Sequence, residues 1–430
     1  MDQALCTCKR ESAWTEKFLD TPVLACYYSI VNKDSLLFQV LDQKRDCIGY
    51  FANNSINPTQ HMPASGATWE YSTHLPGDHY ELARVYSAGA TLTEVCPEDL
   101  RDSWEEVKKQ LRACLKAFKT SQLSLDENCF YDVVPEYFLY RYLQSKNNIT
   151  QHVLDTYPKP ANYQFMYNLV EMLASIREQP LSLNISSINH LLGSVRGKNF
   201  HRSLQTLKRV CDYNPWGTVT GRLATQPNTF PILTMNKEFR RCLEPQNDWF
   251  LELDFNAAEL RTLLALAGVE QPKNDIHEWN VKNIFDKKLT REEAKVKTFA
   301  WLYSSKKNKD LERLYNKDLV RNKYWDGCKI ETDYGRIIEN VDEHHALNYI
   351  VQSTTIDMVH EQAYKVYELL KGRKSRIAFL IHDAVYIDLA EEDRYDLLNL
   401  LDTFRKTRYD MFKVNVSAGK NLGEMKELRL

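Results

Sequence analysis

Two short apolar runs, each closed by an aspartate, constrain this chain more than any other feature. Residues 250–255 (FLELDF) and 380–388 (LIHDAVYID) set Asp254 and Asp383 apart by 383 − 254 = 129 residues. Each run has the length and β-branched or aromatic content of a buried strand. Taken singly, a strand-end aspartate is usually a turn or cap residue. Taken together, two carboxylates on adjacent strands supply what a pair of hard divalent cations needs, with waters and phosphates as the remaining ligands. Only the fold could bring these two together.

Between them, residues 291–304 (REEAKVKTFAWLYS) repeat Arg291, Lys295, Phe299 and Tyr303 at four-residue intervals. That spacing drifts about 40° per step on a helix, so the four share one broad stripe. Thr290 is the expected N-cap, with Glu293 at the capping-box position. One reading gives the stripe to a nucleotide: Arg291 and Lys295 on a triphosphate, Phe299 against sugar and base, Tyr303 by the templating position. The other buries Val296, Phe299 and Tyr303 in a core.

At 430 residues, with 43% hydrophobic and 27% charged residues, the chain is long enough for two or three globular domains. No apolar run approaches the roughly 20 residues of a membrane span. The N-terminus resembles neither a secretory signal nor a transit peptide, so the expectation is a soluble cytoplasmic protein. Ten cysteines without a disulfide spacing read as reduced thiols, and Cys6–Cys8 is a lone CxC with no second half. The net charge of −2 hides a polarity: residues 1–100 carry 7 basic and 13 acidic groups, whereas residues 191–241 carry 9 basic against 2 acidic. A basic band inside a neutral protein suits either phosphate-backbone binding or a solvated face.

Strand-like runs at 23–31 and 35–41 suggest a small β-containing N-terminal domain. Helical spacing follows at 101–119 (Trp104, Val107, Leu111, Leu115, Phe118), 137–146 and 163–177. From residue 249 onward strands and helices alternate, with helices expected at 257–266 and 275–285, a polar lysine-rich stretch at 305–323, and a strand–turn–strand around His382-Asp383-Ala384.

The segment Arg291-x3-Lys295-x3-Phe299-x3-Tyr303 is similar to motif B of family A DNA polymerases, the group of bacterial DNA polymerase I. Asp254-Phe255-x3-Glu259-Leu260-Arg261 resembles its motif A, and His382-Asp383 its motif C. Thr220-Gly221-Arg222-Leu223, Asp275-Ile276-His277 and Asn348-x3-Gln352 match further short motifs in the family's order. The likeness spans about residues 211–430. It implies an α+β right-hand polymerase fold: a palm with an antiparallel sheet at 211–430, fingers inserted at about 265–340, a helical thumb at 131–210, and an N-terminal domain at 1–130.

Carried over position by position, the resemblance makes Asp254, Asp383 and the Phe255 carbonyl ligands of two Mg²⁺ ions, for which Mn²⁺ substitutes. Catalysis would rest on Asp254, Asp383 and Lys295. His277, Arg291, Lys295, Phe299, Tyr303 and Arg240 would bind the incoming dNTP, with Glu259 as the steric gate against a ribose 2′-OH. Thr220, Arg222, Asn348, Gln352 and His382 would touch primer–template DNA. Phe299, where some relatives carry Tyr, implies resistance to dideoxynucleotide terminators. Three positions depart from the family pattern: Ala384 replaces an acid, and Ala300 and Ser304 replace glycines. The segment after the helix is short, so the fingers look trimmed. Residues 1–200 contain no Asp-x-Glu pair, so no 3′–5′ exonuclease is expected; 23–41 could be a relic of one. The compact size suggests a viral or phage-type replication enzyme, a monomer working with or without accessory proteins. Two alternatives stand beside it: a single-subunit RNA polymerase, against which Glu259 and Phe299 argue, and a catalytically silent DNA-binding protein of the same fold.

Overall fold

The computed structural model describes residues 36–42, 48–59, 61–125, 127–285, 288–303 and 308–428. The 23–31 run, Cys6, Cys8 and Ser304 lie outside the described residues. The described chain opens with a small antiparallel sheet of β1 (Phe38–Val40), β2 (Tyr50–Ala52) and β3 (Ser55–Asn57), then a parallel pair, β4 (Gly66–Thr68) and β5 (Tyr80–Leu82). Three long helices follow: α1 (Glu98–Thr120), α2 (Glu136–Thr156) and α3 (Tyr163–Arg177). The apolar stripe of α1 is fully buried only near its start, at Trp104 and Val107, with Trp104 stacked on Tyr142 of α2, while Leu111 and Phe118 pack partly against the core. Further along, Leu115 is 41% exposed, unlike the sequence expectation. The short helix α4 (Val195–Ser203) is capped by the Ser194 side chain.

The central sheet has five antiparallel strands. Its spatial order is β7 (Arg376–Ile381), β8 (Ala384–Leu389), β6 (Trp249–Phe255), β9 (Val414–Gly419) and β10 (Lys426–Glu427). Strand β8 is buried along its whole length, whereas β6 buries Phe250, Leu251, Leu253 and Phe255 and leaves Glu252 and Asp254 partly exposed. Ala384, expected in the turn, instead opens β8 and pairs with Asp254, which leaves a two-residue turn of His382 and Asp383. Beneath the sheet, Phe255, Phe404 and Phe412 pack together, with Phe255 stacked on Phe404 at 4.4 Å. This main core continues into the N-terminal sheets and α1–α3.

A second core forms around α5 (Ala258–Leu266), α6 (Ile276–Asn283), α7 (Arg291–Leu302), α8 (Lys309–Tyr315) and α9 (Lys317–Tyr324). The polar 305–323 stretch therefore contains two helices. Leu311, Tyr315, Val320 and Tyr324 supply their only buried faces, and Asn316, at φ +43°, ends one helix and caps the next. The 28-residue helix α10 (Glu343–Leu370) belongs to both cores: Ala346, Ile350 and Val351 sit in the second, Met358, Val359, Ala363 and Val366 in the first. A final helix, α11 (Leu397–Arg405), packs on α10. Cys96, Cys114, Cys211, Cys242 and Cys328 are free thiols, and no described helix is long and apolar enough to cross a membrane.

Two buried polar groups on α10 matter for stability. Arg336 forms two hydrogen bonds to Asp357 (2.8 and 2.6 Å), and Asp357 is wholly buried. One turn on, His360 is 1% exposed with neither ring nitrogen hydrogen-bonded. Burial first, and the nearby Arg336 charge second, push its pKa down to about 3. A folded-state value below the ordinary 6.5 means the imidazole is neutral in the fold. Its contribution is complete above pH 6.5 and is lost as pH falls from 6.5 toward 3, at up to about 1.4 kcal/mol per pH unit. The expected result is a melting temperature that drops between pH 6.5 and 4, with a shallower drop in His360→Leu. An acid limb of unchanged slope in that variant would assign the loss to other groups.

Candidate active site

Strand β6 ends by delivering Asp254, and the β7–β8 turn delivers Asp383 beside it. Both exits are backbone-strained: Ala257 after β6 and His382 in the turn take left-handed φ values of +51° and +56°. The register Asp254↔Ala384 and Asp254↔Asn415 sets a small side chain on one flank of Asp254 and an amide on the other. Asn415 Nδ2 donates to Asp254 Oδ2 at 3.3 Å. The Asp254 carboxyl is nevertheless pushed up to about 7, by burial first and by the charge of Asp383 second, with Glu252 adding to it and Lys295 opposing it. Asp383 is also raised by burial, against the pull of His382 and Arg222.

Two crowded, half-buried carboxylates of this kind lack the positive charge that a divalent cation supplies, so the donor set fits the implied metals. Among the described residues no group of three or more His, Cys, Asp or Glu converges as a ligand set. Asp254 and Asp383 are the two carboxylates at this point of the sheet, and Phe255 beside Asp254 is packed against Phe404 and Phe412.

Helix α7 carries the full capping box expected from its sequence, Thr290 with Glu293. Its buried face is Ala294, Thr298, Trp301 and Leu302, whereas Val296 is 66% and Tyr303 42% exposed. Arg291, Lys295 and Tyr303 of the stripe are thus exposed, whereas Phe299 is half-buried and packs against the second core. Phe299 stacks on Tyr303 at 6.2 Å, and the His277 ring lies 5.8 Å from Phe299. His277 is 3% exposed with Nδ1 unpartnered, and burial, the largest cause, pushes it down to about 4. It would meet a nucleotide as a neutral hydrogen-bonding ring.

Three segments meet on Glu259. Arg222 Nη2 donates to it at 2.7 Å, and the Tyr303 hydroxyl contacts its other oxygen. Burial raises its pKa although Arg222 opposes that. The Arg222 loop is fixed from below: Gly221 has φ +81°, and a Cβ there would stand 2.2 Å from Arg336 Nη2. Only glycine fits between that buried guanidinium and the backbone turn. Thr220 is buried, while Asn348 and Gln352 sit one turn apart, half-buried, on α10. Arg240 does not contact this set; its charge is felt at Tyr386, across the sheet from Glu252. The basic band is a joint surface, since Phe200 of α4 stacks on Phe239 at 4.5 Å and so joins Arg196, Lys198 and Arg202 to the Lys237–Arg241 segment.

No protein-family model and no curated sequence matches this chain. Among solved structures it is similar to the POL domain of Pol1 from M. smegmatis, determined in complex with a DNA primer-template and dNTP. The match has a TM-score of 0.61 and covers 91% of this chain and 96% of that one, at 11% sequence identity. The chain has a right-hand polymerase fold. At that identity the likeness speaks for the fold and leaves residue roles to the geometry above.

Sequence reasoning missed four residues of the site. Asn415, Glu252 and Asn256 left no signal, because their roles depend on strand register or on a loop's return. Asp275 was visible as part of Asp275-Ile276-His277, and as the residue before a helix, but not as the partner of Arg291.

Proposed function

We propose that this chain is a template-directed DNA polymerase that adds dNTPs to a primer 3′-OH. The observation that carries the reading is the pairing of two crowded aspartates with the Arg291/Lys295 edge of α7 across the Glu259–Tyr303 contact. The structural likeness to a polymerase domain supports it. Asp254, Asp383 and the Phe255 carbonyl would hold two Mg²⁺ ions, with Mn²⁺ as a substitute, which would activate the 3′-oxygen and neutralise charge on the phosphates. Arg291 and Lys295 would bind the triphosphate, one as a planar fork and one as a point charge whose field also reaches Asp254. Phe299 and Tyr303 would wall the base, and His277 would hydrogen-bond the phosphates. Arg222, His382, Thr220, Asn348 and Gln352 would seat the primer end, the basic α4 surface would seat the duplex backbone, and Arg240 would join Arg291 and Lys295 on the triphosphate.

In the proposed layout, residues 131–210 are the thumb with α1 packed alongside, 211–430 the palm, about 265–340 the fingers, and 1–130 an N-terminal domain. Proofreading is proposed to be absent, and the chain to be a soluble monomer of viral or phage type. Primer extension with dNTPs and rNTPs offered separately tests the reading; extension with neither would reject it, and extension with rNTPs would favour an RNA polymerase.

Glu259 is held in place by Arg222 and Tyr303, so its carboxylate is a rigid wall where a 2′-OH would sit. Glu259→Ala is expected to raise ribonucleotide incorporation at least tenfold, about 1.4 kcal/mol of lost discrimination. An unchanged dNTP/rNTP ratio would put the gate elsewhere.

A further inference from the structure

Every nitrogen of the Arg291 guanidinium is engaged by a carboxylate. Nε and Nη2 donate to Asp275 at 3.3 and 2.8 Å, and Nη1 donates to Glu292 at 2.6 Å. The two acids are not alike. Asp275 is 15% exposed and fixed from other directions: Asn256 Nδ2 donates to it at 2.9 Å, and it caps α6 through the Glu278 N–H at 2.9 Å. Asn256 is in turn held, accepting from the Ile276 N–H at 3.2 Å and from Arg261 Nη2 at 3.3 Å. Arg261 is fully buried and also donates to the carbonyls of Asn256, Pro272 and Asn274, each at 2.8 Å. Glu292 has a side chain that is 71% exposed, and Arg291 is its only ion-pair partner among the described residues.

We infer that Asp275 is a positioning residue for nucleotide binding. It fixes the Nε/Nη2 edge of Arg291 and leaves Nη1 free to exchange the exposed Glu292 for a phosphate oxygen of the incoming triphosphate. The inference rests on the polymerase reading. A guanidinium held along one edge keeps its plane and direction, so less ordering is needed when the ligand arrives. The relay also ties the clamp to the chemistry, because Asn256 lies two residues after Asp254 on the same chain. The carboxylate pair and the triphosphate cation are thereby set at a fixed separation. Glu292 acts oppositely, as a placeholder that a phosphate must displace. His277, two residues beyond Asp275, has an unpartnered Nδ1 and feels the charges of Asp275, Arg291 and Lys295.

The test measures dNTP dissociation constants on the full chain with a dideoxy-terminated primer–template, and KM and kcat on an extendable one. Asp275→Asn keeps a capping side chain and the shape but removes the charge. It should raise Kd and KM about tenfold while kcat falls by less, and Asp275→Glu should recover part of the loss. Glu292→Ala should lower Kd and KM a few-fold. Tighter dNTP binding in Asp275→Asn would overturn the inference, since Asp275 would then compete for Arg291 rather than orient it. Unchanged binding in both variants, with an active wild type, would overturn it while leaving the polymerase reading intact. A wild type that neither binds nor incorporates dNTPs would overturn both.

Discussion

Asp254→Ala or Asp383→Ala is expected to reduce primer extension by about a thousandfold or more, several kcal/mol of transition-state stabilisation, while primer–template affinity stays near wild type. In the proposed reading duplex binding would draw on the α4 basic surface and the Arg222 loop, neither of which uses these carboxylates as a scaffold. The same substitutions should not destabilise the protein. Burial and mutual repulsion push the Asp254 carboxyl up to about 7, so removing either partner relieves an unfavourable pair in the ion-free protein. The expected signature is therefore a melting temperature equal to or above wild type, measured without divalent ions, together with lost single-turnover extension. Extension near the wild-type rate would sink the two-carboxylate assignment. A large fall in melting temperature would mean the aspartates are structural.

Asp357→Ala should give the largest stability loss of any single substitution considered, roughly 3–5 kcal/mol. Asp357 is wholly buried, and Arg336, at 12% side-chain exposure, would lose its only carboxylate partner among the described residues. The cost comes from the orphaned guanidinium and not from the worth of the ion pair itself. Replacing both residues together, Arg336→Met with Asp357→Leu, should recover most of the loss, because a buried pair and an apolar pair of similar volume differ little. Chemical denaturation of Arg336→Met, Asp357→Leu and the double variant measures this as a cycle. A double variant as unstable as the singles would show that the polar contacts themselves are needed. Since Arg336 also lies against Gly221, the single variant should weaken primer binding through Arg222, and any such effect without loss of stability would point to the loop alone.

Legibility in the sequence followed the range of the interaction. The capping box of α7, the apolar strand β6 and the β7–β8 hairpin are local patterns, and each was readable within a residue or two. Helix α7 was also the place where two readings competed: it buries Ala294 and Trp301, leaves Val296 and Tyr303 exposed, and packs Phe299 partly against the second core. Helices α8 and α9 were hidden because four apolar residues in a lysine- and aspartate-rich stretch carry too weak a period. The contacts that orient the site were not readable: Asn415 with Asp254, Arg336 with Asp357, and Asp275 with Arg291 join segments whose proximity depends on the finished fold. The resemblance to polymerase motifs assigned Arg240 to the nucleotide, and in the structure its charge acts on Tyr386, which pairs with Glu252 and also feels Asp254.

Helix α10 contributes residues to both cores, and at about 1.5 Å per residue its 28 residues run roughly 42 Å. The sheet bearing the aspartates is rooted in one core and the helix bearing Arg291 and Lys295 in the other. Because both are bolted to one rigid rod, the two bodies have a shared axle. Sliding one past the other would tear packed side chains from the rod, whereas a small rotation about it leaves them seated. Relative motion of the two cores is therefore expected as a small rotation about α10 rather than a slide along it.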